Sequence, residues 1–344
     1  MLDVLITPMT LMLILAAGYL LKHLRVFGAT DYRVVQAIEF DLVLPGAIVH
    51  SFATNDHSLS LLWISLFSLA ATLVPPLLIY LTTTHTPVSD RAFMMLNSTG
   101  FNVGCFCFPM VQALVGPQGL VATAMFDIGN NIMVAAGTNV LTQQLLDIPP
   151  GKTLTQQEGA SCRKDDAAWN DGRKPHHEVE NDPGIRRLHR RALAKSIAWG
   201  FLSSPSFDTY IVMVVLMVAD VHLPHWMAQV SQPFSGANAF CSMLMVGMLT
   251  ELPSNRHDVA SVCKVLGWRL PCAVLAALIA WFLLPFGTAI RESVVLCCFA
   301  PIAVFSTMFT DKVLGNAKLA GFSLSVTAVI STVLMVVVHL AIHM

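Results

Sequence analysis

The chain has 344 residues, of which 55% are hydrophobic and only 12% are charged, and its mean hydropathy is +0.65. This composition excludes a soluble globular protein and predicts an integral membrane protein embedded in a lipid bilayer. The formal net charge is −1, and no nucleic-acid partner is expected. The 8 cysteines show neither metal-binding nor disulfide spacing, so we interpret them as small hydrophobic residues of the interior.

Ten stretches of mostly apolar residues follow one another along the chain, and about 20 such residues are enough to cross a bilayer as a helix. They lie at 3–22, 34–53, 60–82, 92–115, 119–145, 205–223, 233–251, 266–286, 292–311 and 318–342. The first stretch lacks a basic start and a small-residue cleavage site, so we interpret it as a retained helix rather than a cleaved signal peptide. The predicted fold class is an all-α membrane protein with ten transmembrane helices.

The lysine and arginine residues predict the orientation of these helices. With the N-terminus outside, every Lys and Arg except Arg291 falls in a connection on the inside, including Arg256, Lys264 and Arg269 before the eighth stretch. The positive-inside rule then places both termini outside, in a multi-pass protein of the plasma membrane. The bias remains when the long central loop is left out of the count.

A hydrophilic segment at 147–198 separates a first repeat of five helices at 1–146 from a second repeat at 199–344. Its content of Gln, Asp, Lys, Arg, Asn and Pro predicts a mobile cytoplasmic linker. Within it, residues 185–195 place basic side chains beside spaced apolar ones. We interpret this part either as a solvated run of charge that sets the topology or as a segment that lies on the anionic inner leaflet.

Two of the ten stretches carry helix-breaking residues in the middle of the span. The first interruption lies at 100–109, and the second lies at 297–307 and centres on Pro301. Backbone that leaves the helix inside a bilayer persists only where it faces packed protein or a watery cavity. Because five is an odd number, the two halves enter the membrane from opposite sides, and each interruption falls in the fourth span of its half. The pattern predicts a twofold inverted repeat whose broken helices, in spans four and nine, lie beside the substrate.

Several short motifs, in their order and spacing, resemble the auxin efflux carrier family in its bacterial branch. Asn102, Gly104 and Pro109 are similar to the Asn-x-Gly motif, with a following proline, in the fourth helix of that family. The run at 126–130 is similar to a Phe-Asp-x-Gly-Asn stretch of one bacterial branch, and Pro301 matches as well. The resemblance implies a ten-helix carrier in which broken helices cross beside a small organic anion and a transport domain moves against a scaffold domain. It also implies a homodimer.

Polar residues at membrane depth are costly and often functional, and they define the candidate substrate site. The expected substrate-binding residues are Asn102, Gly104, Pro109, Asn130, Asn131, Pro301, Ser306 and Thr307. The amide of Asn102 serves either a carboxylate ligand or the N-terminus of a half-helix, as its cap. The hydroxyl groups of Ser306 and Thr307 either line the second broken helix or bond to carbonyl groups of their own helix.

Asp127 is the first candidate for coupling to an ion, because it lies one turn from Asn130 and Asn131 and shares a helix face with them. A carboxyl group at membrane depth can load and release a proton during a transport cycle. The alternative for Asp127 is a structural hydrogen bond to the broken span. Asp41, with its neighbour Glu39, is the second candidate for coupling.

No Lys or Arg is assigned to the apolar centre of a span, so the N-termini of the broken helices are expected to attract an anion. The predicted function is secondary transport of a small organic anion, a mono- or dicarboxylate, by alternating access, with or without coupling to H⁺ or Na⁺. A channel and a non-transporting membrane sensor for a small polar solute are the alternatives. The sequence contains no nucleotide-binding glycine loop, HExxH motif or GxSxG motif, so neither enzyme activity nor a cofactor is expected.

Overall fold

The structure, a computed structural model, describes residues 2–28, 30–55, 58–148, 153–154, 205–253 and 255–344. These residues form helices joined by short connections, with no strand among them. In chain order the helices are α1 (Leu2–His23), α2 (Tyr32–Thr54), α3 (Leu59–Thr82), α4 (Val88–Ser98), α5 (Val103–Leu114), α6 (Gln118–Leu145), α7 (Pro205–Val218), α8 (His225–Leu249), α9 (Arg256–Leu283), α10 (Thr288–Cys298), α11 (Val304–Leu314) and α12 (Ala317–Ile342). The predicted linker at 147–198 lies almost entirely outside the described residues.

Six of the helices, α1, α2, α3, α6, α9 and α12, are long and apolar enough to cross a membrane, and α5 and α7 are shorter apolar helices. Large apolar side chains such as Trp63, Phe282 and Val333 are exposed on α3, α9 and α12, as expected for faces that contact lipid. In α6, by contrast, 76% of the 18-residue apolar stretch is buried inside the protein. The chain is therefore a helical membrane protein with α6 in its interior.

The helices pack in two groups that meet at the centre of the protein. In the first group α8 packs against α1 and α2, and α7 also packs against α2. In the second group α3 packs against α6, α10 lies between α6 and α9, and α11 packs against α4 and α12. The first turn of α5 contacts α6 from the second group and α8 from the first. The start of α5 therefore lies at the junction of the two groups.

Three helices contain a widened, π-helical turn. These turns lie at Glu39–Val43 in α2, at Val103–Cys107 in α5 and at Met133–Gly137 in α6. Pro45 and Pro109 each follow such a turn by two residues, and neither has an N–H group to donate to the carbonyl one turn earlier. A π-helical turn shifts the backbone bonding to the fifth residue, which allows the chain to continue as a helix past the proline. Pro45 and Pro109 thus account for the π-helical turns of α2 and α5, two of the three turns.

Short non-helical segments separate two pairs of helices. Residues 99–102 separate α4 from α5, and residues 299–303 separate α10 from α11. Both segments fall at the predicted interruptions. Gly100 has a φ of +75°, and a Cβ atom there would lie 2.5 Å from Cγ2 of Val134. Glycine is required at this position both by the left-handed backbone conformation and by the lack of space.

Helices α1 and α8 cross at a pair of glycines that brings their backbones into contact. A Cβ atom on Gly247 would lie 2.1 Å from the carbonyl oxygen of Leu15 and 3.0 Å from Cα of Gly18. Small residues at such crossings allow membrane helices to pack through their backbones. Gly236 lies in the same helix, but a Cβ atom there would meet no atom within 4 Å.

The substitution Gly247→Ala is expected to destabilise the protein by about 1–3 kcal/mol, because the added methyl group forces the two backbones apart. The matched substitution Gly236→Ala should leave stability unchanged or raise it slightly, since alanine is the better helix former. Thermal unfolding of the purified variants in detergent measures the difference. Equal melting temperatures would show that the α1–α8 crossing tolerates a side chain and that the close approach does not limit stability.

Candidate functional site

The two interruptions lie against each other and are joined directly through their backbones. The N–H group of Asn102 donates a hydrogen bond of 3.0 Å to the carbonyl of Pro301. Asn102 precedes the first turn of α5, and Pro301 lies in the segment between α10 and α11. The backbone bond therefore fixes the point at which the two broken helices cross.

A single buried arginine binds the end of the helix before each interruption. Nη1 of Arg269 donates to the carbonyl of Gly100 at 2.7 Å and to that of Ser98 at 3.4 Å. Nη2 donates to the carbonyl of Ala300 at 2.7 Å and to that of Pro301 at 2.9 Å. The guanidinium group thus contacts two carbonyls at the end of α4 and two just beyond the end of α10.

The chemistry of the crossing explains why arginine occupies this position. The last carbonyls of a helix have no partner within the helix, and together they carry about half a negative charge. A guanidinium group offers five N–H donors in a rigid fork and keeps its charge, whereas an ammonium group is a point charge. The carbon of the guanidinium group also lies 4.8 Å from the centroid of the Phe101 ring, in a cation–π contact. Arg269 therefore neutralises the negative ends of α4 and α10 at once.

The assignment of Arg269 to an inside connection is wrong. Helix α9 begins at Arg256, rather than near 266, so Arg269 lies at the middle of the helix and is 4% exposed. The predicted apolar stretch began at 266, close to Arg269. An arginine at the centre of the helix was therefore interpreted as one that flanks the span. The expectation that no cation lies at the centre of a span is wrong for the same reason. The sequence signal was an arginine that lies deeper in the apolar helix than the basic residues Arg256 and Lys264 near its start. An arginine at membrane depth on general grounds marks a functional position.

Asp127 is buried and accepts a hydrogen bond at each carboxylate oxygen. Its Oδ1 accepts from the side-chain amide of Asn130 at 3.0 Å, and its Oδ2 accepts from the hydroxyl of Tyr210 at 2.7 Å. Tyr210 belongs to α7, in the other packing group, and is itself buried. Asp127 thus links the two groups of helices through one hydrogen bond.

Asn130 joins the Asp127 cluster to the first interruption. Its Oδ1 accepts from the backbone N–H of Phe101 at 2.9 Å, and its Nδ2 donates to the carbonyl of Phe101 at 2.8 Å. Both polar backbone groups of Phe101 are therefore satisfied by one amide, as backbone at membrane depth requires. One of the two roles predicted for Asp127 was a structural hydrogen bond to the broken span. In the structure Asn130, rather than Asp127, bonds to this span.

A small cavity lies between the crossing and the Asp127 cluster. Its volume is about 30 Å³, which is enough for a water molecule but too small for an organic acid. Its polar lining includes Asn102, Gly104, Asp127, Asn130, Asn131 and Ser206. The cavity is therefore too small to hold an organic acid in this conformation, and such a ligand fits only if the helices around it move.

The side chain of Asn102 supplies an unpaired hydrogen-bond donor beside this cavity. Asn102 is 5% exposed, its side chain does not cap α5, and its Nδ2 has no hydrogen-bond partner among the described residues. A buried donor without a partner is costly, by about 1–3 kcal/mol. The amide is therefore free to bind a ligand, and the capping role considered for it is not seen.

A second polar cluster approaches the start of α5 from α2 and α8. Glu39 is fully buried and accepts from the hydroxyl of Ser242 at 2.6 Å, and its second oxygen has no partner within the described part of the chain. Asn238, one turn from Ser242, donates to the carbonyl of Gly104 at 3.3 Å. Asp41 is exposed and lies outside this cluster. The buried acid of α2 is thus Glu39, and Asn238 and Ser242 are site residues that the sequence reasoning missed.

The remaining predicted binding residues lie near the cavity but do not line it. Pro301 contributes only its backbone carbonyl to the crossing. Pro109 lies beyond the π-helical turn of α5, and Ser306 is buried within α11. The hydroxyl of Thr307 donates to the carbonyl of Val304 at 2.6 Å. For Thr307 the structure therefore shows the alternative interpretation, a bond to its own helix.

An apolar helical bundle around a polar crossing of interrupted helices is a recurring architecture of helical membrane transporters. The chain matches the sequence model described as membrane transport protein over residues 4–339. It belongs to that family, the auxin efflux carrier family, which confirms the resemblance seen in the motifs. A search of curated proteins finds no match to the chain.

The substitution Arg269→Lys is expected to destabilise the protein strongly, because a single ammonium group cannot reach the four carbonyls that the guanidinium fork contacts. Each charge-assisted hydrogen bond that is lost costs about 1.5–3 kcal/mol. Arg256→Lys, at the exposed start of the same helix, is the matched control. Thermal unfolding in detergent compares the two variants. If Arg269→Lys were as stable as Arg256→Lys, the crossing would not depend on the guanidinium group.

Proposed function

We propose that the protein is a secondary transporter that moves a small organic anion, a mono- or dicarboxylate, across the cytoplasmic membrane by alternating access. The observation that carries the proposal is the unpaired amide of Asn102 at the crossing of the two interruptions. It faces a cavity that also contacts Asp127 and the start of α11. The membership of the chain in a family of membrane transporters supports the general function.

The electrostatics of the crossing favour a negatively charged substrate. Arg269 occupies the carbonyl ends of α4 and α10, so the negative helix ends are already neutralised. The opposite ends, the N-termini of α5 and α11, border the cavity at Val103 and Val304. A helix N-terminus carries about half a positive charge and unpaired N–H donors, and it binds carboxylate and phosphate groups. A carboxylate between Asn102 and these ends would meet donors from both broken helices.

The order of the helices supports a ten-span arrangement with an inverted repeat. In this arrangement α4 with α5 forms the fourth span and α10 with α11 forms the ninth, so α1 to α6 and α7 to α12 each contain five spans. Helices α4 and α10 have 11 residues each. In both halves a broken span follows three unbroken ones and precedes a final long helix. The termini would then lie outside and the segment at 147–198 in the cytoplasm.

Alternating access would move one packing group against the other. Among the described residues, two hydrogen bonds at the site hold the first group against the second group and α5. They run from Tyr210 in α7 to Asp127 in α6 and from Asn238 in α8 to the carbonyl of Gly104 in α5. Such bonds are few enough to break during a transport cycle, and their loss would allow the small cavity to widen. Rigid-body movement of one helix bundle around a fixed site is the usual mechanism of transporters with broken helices.

Asp127 is the proposed coupling residue. An anionic substrate bound at Asn102 would place a second negative charge beside the Asp127 carboxylate, and two adjacent carboxylates favour uptake of a proton by one of them. Protonation of Asp127 would also change the carboxylate that accepts the hydrogen bond from Tyr210, which joins the two packing groups. Binding of substrate and proton would thus be linked to the movement. Sodium is the alternative coupling ion.

Uptake and counterflow of radiolabelled mono- and dicarboxylates in proteoliposomes, under an imposed pH or sodium gradient, tests the function. One acid should show saturable flux. Asn102→Ala should raise its KM about tenfold or more, because a hydrogen bond to a charged group contributes about 1.5–3 kcal/mol. The matched control is Asn139→Ala, whose side chain accepts a bond from Gln143 away from the cavity.

The other outcomes of this assay contradict the proposal in distinct ways. Flux that does not saturate and greatly exceeds the rate of a conformational cycle would indicate a channel. Binding of an acid without flux would indicate a sensor. Equal flux in Asn102→Ala and Asn139→Ala would remove Asn102 from the binding site.

The substitution Asp127→Asn is expected to abolish accumulation driven by a pH gradient while substrate exchange remains measurable. Asparagine can still accept from Asn130 through its oxygen and can donate to the oxygen of Tyr210 through its nitrogen, but it takes up no proton. Asp41→Asn, at an exposed position of α2, is the control and should retain both activities. The comparison of uptake with counterflow in the same vesicles separates coupling from binding. Equal loss of both activities in Asp127→Asn would leave Asp127 with a structural role. Loss of accumulation in Asp41→Asn instead would place the coupling on α2.

A further inference from the structure

A separate cluster of potential ligands lies at the end of α12, away from the crossing. Oε1 of Glu292, from the start of α10, is 2.5 Å from Nδ1 of His339. Oε2 of the same carboxylate is 3.1 Å from Nε2 of His343, which follows α12. The two imidazole rings have centroids 4.6 Å apart. One carboxylate and two imidazoles thus converge from two helices.

The spacing of these atoms suits a transition-metal ion. The three candidate ligand atoms lie within 4.8 Å of one another. Zinc bonds nitrogen and carboxylate oxygen at about 2.0–2.2 Å, so ligands arranged as a tetrahedron lie roughly 3.4 Å apart. The carboxylate of Glu292 and the two imidazoles would have to adjust to reach that spacing, because Glu292 and His339 lie closer than it and the three atoms spread over as much as 4.8 Å. His339 lies in the last turn of α12 and His343 directly follows the helix, so they are four residues apart. This is the spacing at which paired histidines of a helix bind zinc in metalloproteins.

The surroundings favour a built site over a solvated cluster. Glu292 is 2% exposed and His339 is 7% exposed, whereas the side chain of His343 is 53% exposed. A cavity of about 590 Å³ opens beside them, lined also by Thr288 and Leu340. The cavity gives an ion a path to the buried ligands and leaves room for a water molecule as a fourth ligand. Two imidazoles with one carboxylate favour zinc and its neighbours over magnesium or calcium.

We propose that Glu292, His339 and His343 form a binding site for a divalent transition-metal ion of the zinc class. The ion joins α10 to the end of α12, with the fourth position open to the cavity. Zinc with three protein ligands and a water molecule in the fourth position is an established coordination in proteins. Because an ion that binds only the folded protein stabilises it, metal binding also raises the melting temperature. The site is independent of the proposed substrate.

Titration of the chelator-treated protein with Zn²⁺ by calorimetry, and with Co²⁺ by visible absorption, tests the site. The full chain is purified in detergent. Its tag contains no histidine, so that Zn²⁺ meets only the 12 histidines of the chain itself. We expect one tight site per chain and the absorption spectrum of four-coordinate Co²⁺. His343→Ala and Glu292→Gln should each weaken binding at least about 100-fold. His225→Ala, at the exposed start of α8, should bind as the wild type does.

His343 is the decisive position, because its exposed side chain is removed without disturbing the buried interior. Equal Zn²⁺ affinity and stoichiometry in the wild type, His343→Ala and His225→Ala would overturn the proposal. A lower melting temperature for Glu292→Gln without metal, together with no Zn²⁺ binding by the wild type, would also overturn it. That result would leave a hydrogen-bonded link between α10 and α12 only.

Discussion

The bond between one guanidinium group and the ends of two helices is the interaction on which the centre of this protein depends. An interrupted helix in a bilayer leaves carbonyl groups without water or helix partners, and each one costs free energy. Arg269 contacts four of these carbonyls, two at each interruption. In the described part of the chain, the guanidinium charge is balanced by two negative helix ends, and no acid pairs with it. The crossing can therefore keep non-helical backbone, and the N-termini of α5 and α11, in the interior of a membrane protein.

The parts of this site that could be predicted are those that local sequence encodes. Glycine and proline mark the interruptions because they act on their own stretch of backbone, so both non-helical segments lie where expected. Asn102, Asp127 and Asn130 stand out because polar residues in an apolar stretch are costly. Arg269 and Tyr210 were missed because their partners lie far away in the chain, and only the fold brings them together. A span that is chosen by its mean hydropathy also tends to leave out charged residues. A central arginine is therefore placed at the end of the predicted span.

The choice between Glu39 and Asp41 shows a further limit of reading a sequence. The two acids are two residues apart, so they point to nearly opposite sides of a helix, and either one could face the interior. The π-helical turn at Glu39–Val43 also changes the register at this point. The fold buries Glu39 and exposes Asp41. A similar ambiguity applied to Thr307, whose hydroxyl finds a carbonyl in its own helix.

The arrangement of charge also suits the kinetics of a carrier. If Arg269 bound a carboxylate directly at membrane depth, the buried ion pair would release its ligand slowly. Because the guanidinium group is already occupied by carbonyls, an anion at the crossing would be held by partial charges at two helix ends and by the amide of Asn102. A substrate must bind strongly enough to enter and weakly enough to leave, and this requirement applies to carriers as it does to channels. Under the proposed function, helix ends and one amide would meet that requirement better than a fixed cation, and Asp127 would oppose overly tight binding of the same anion.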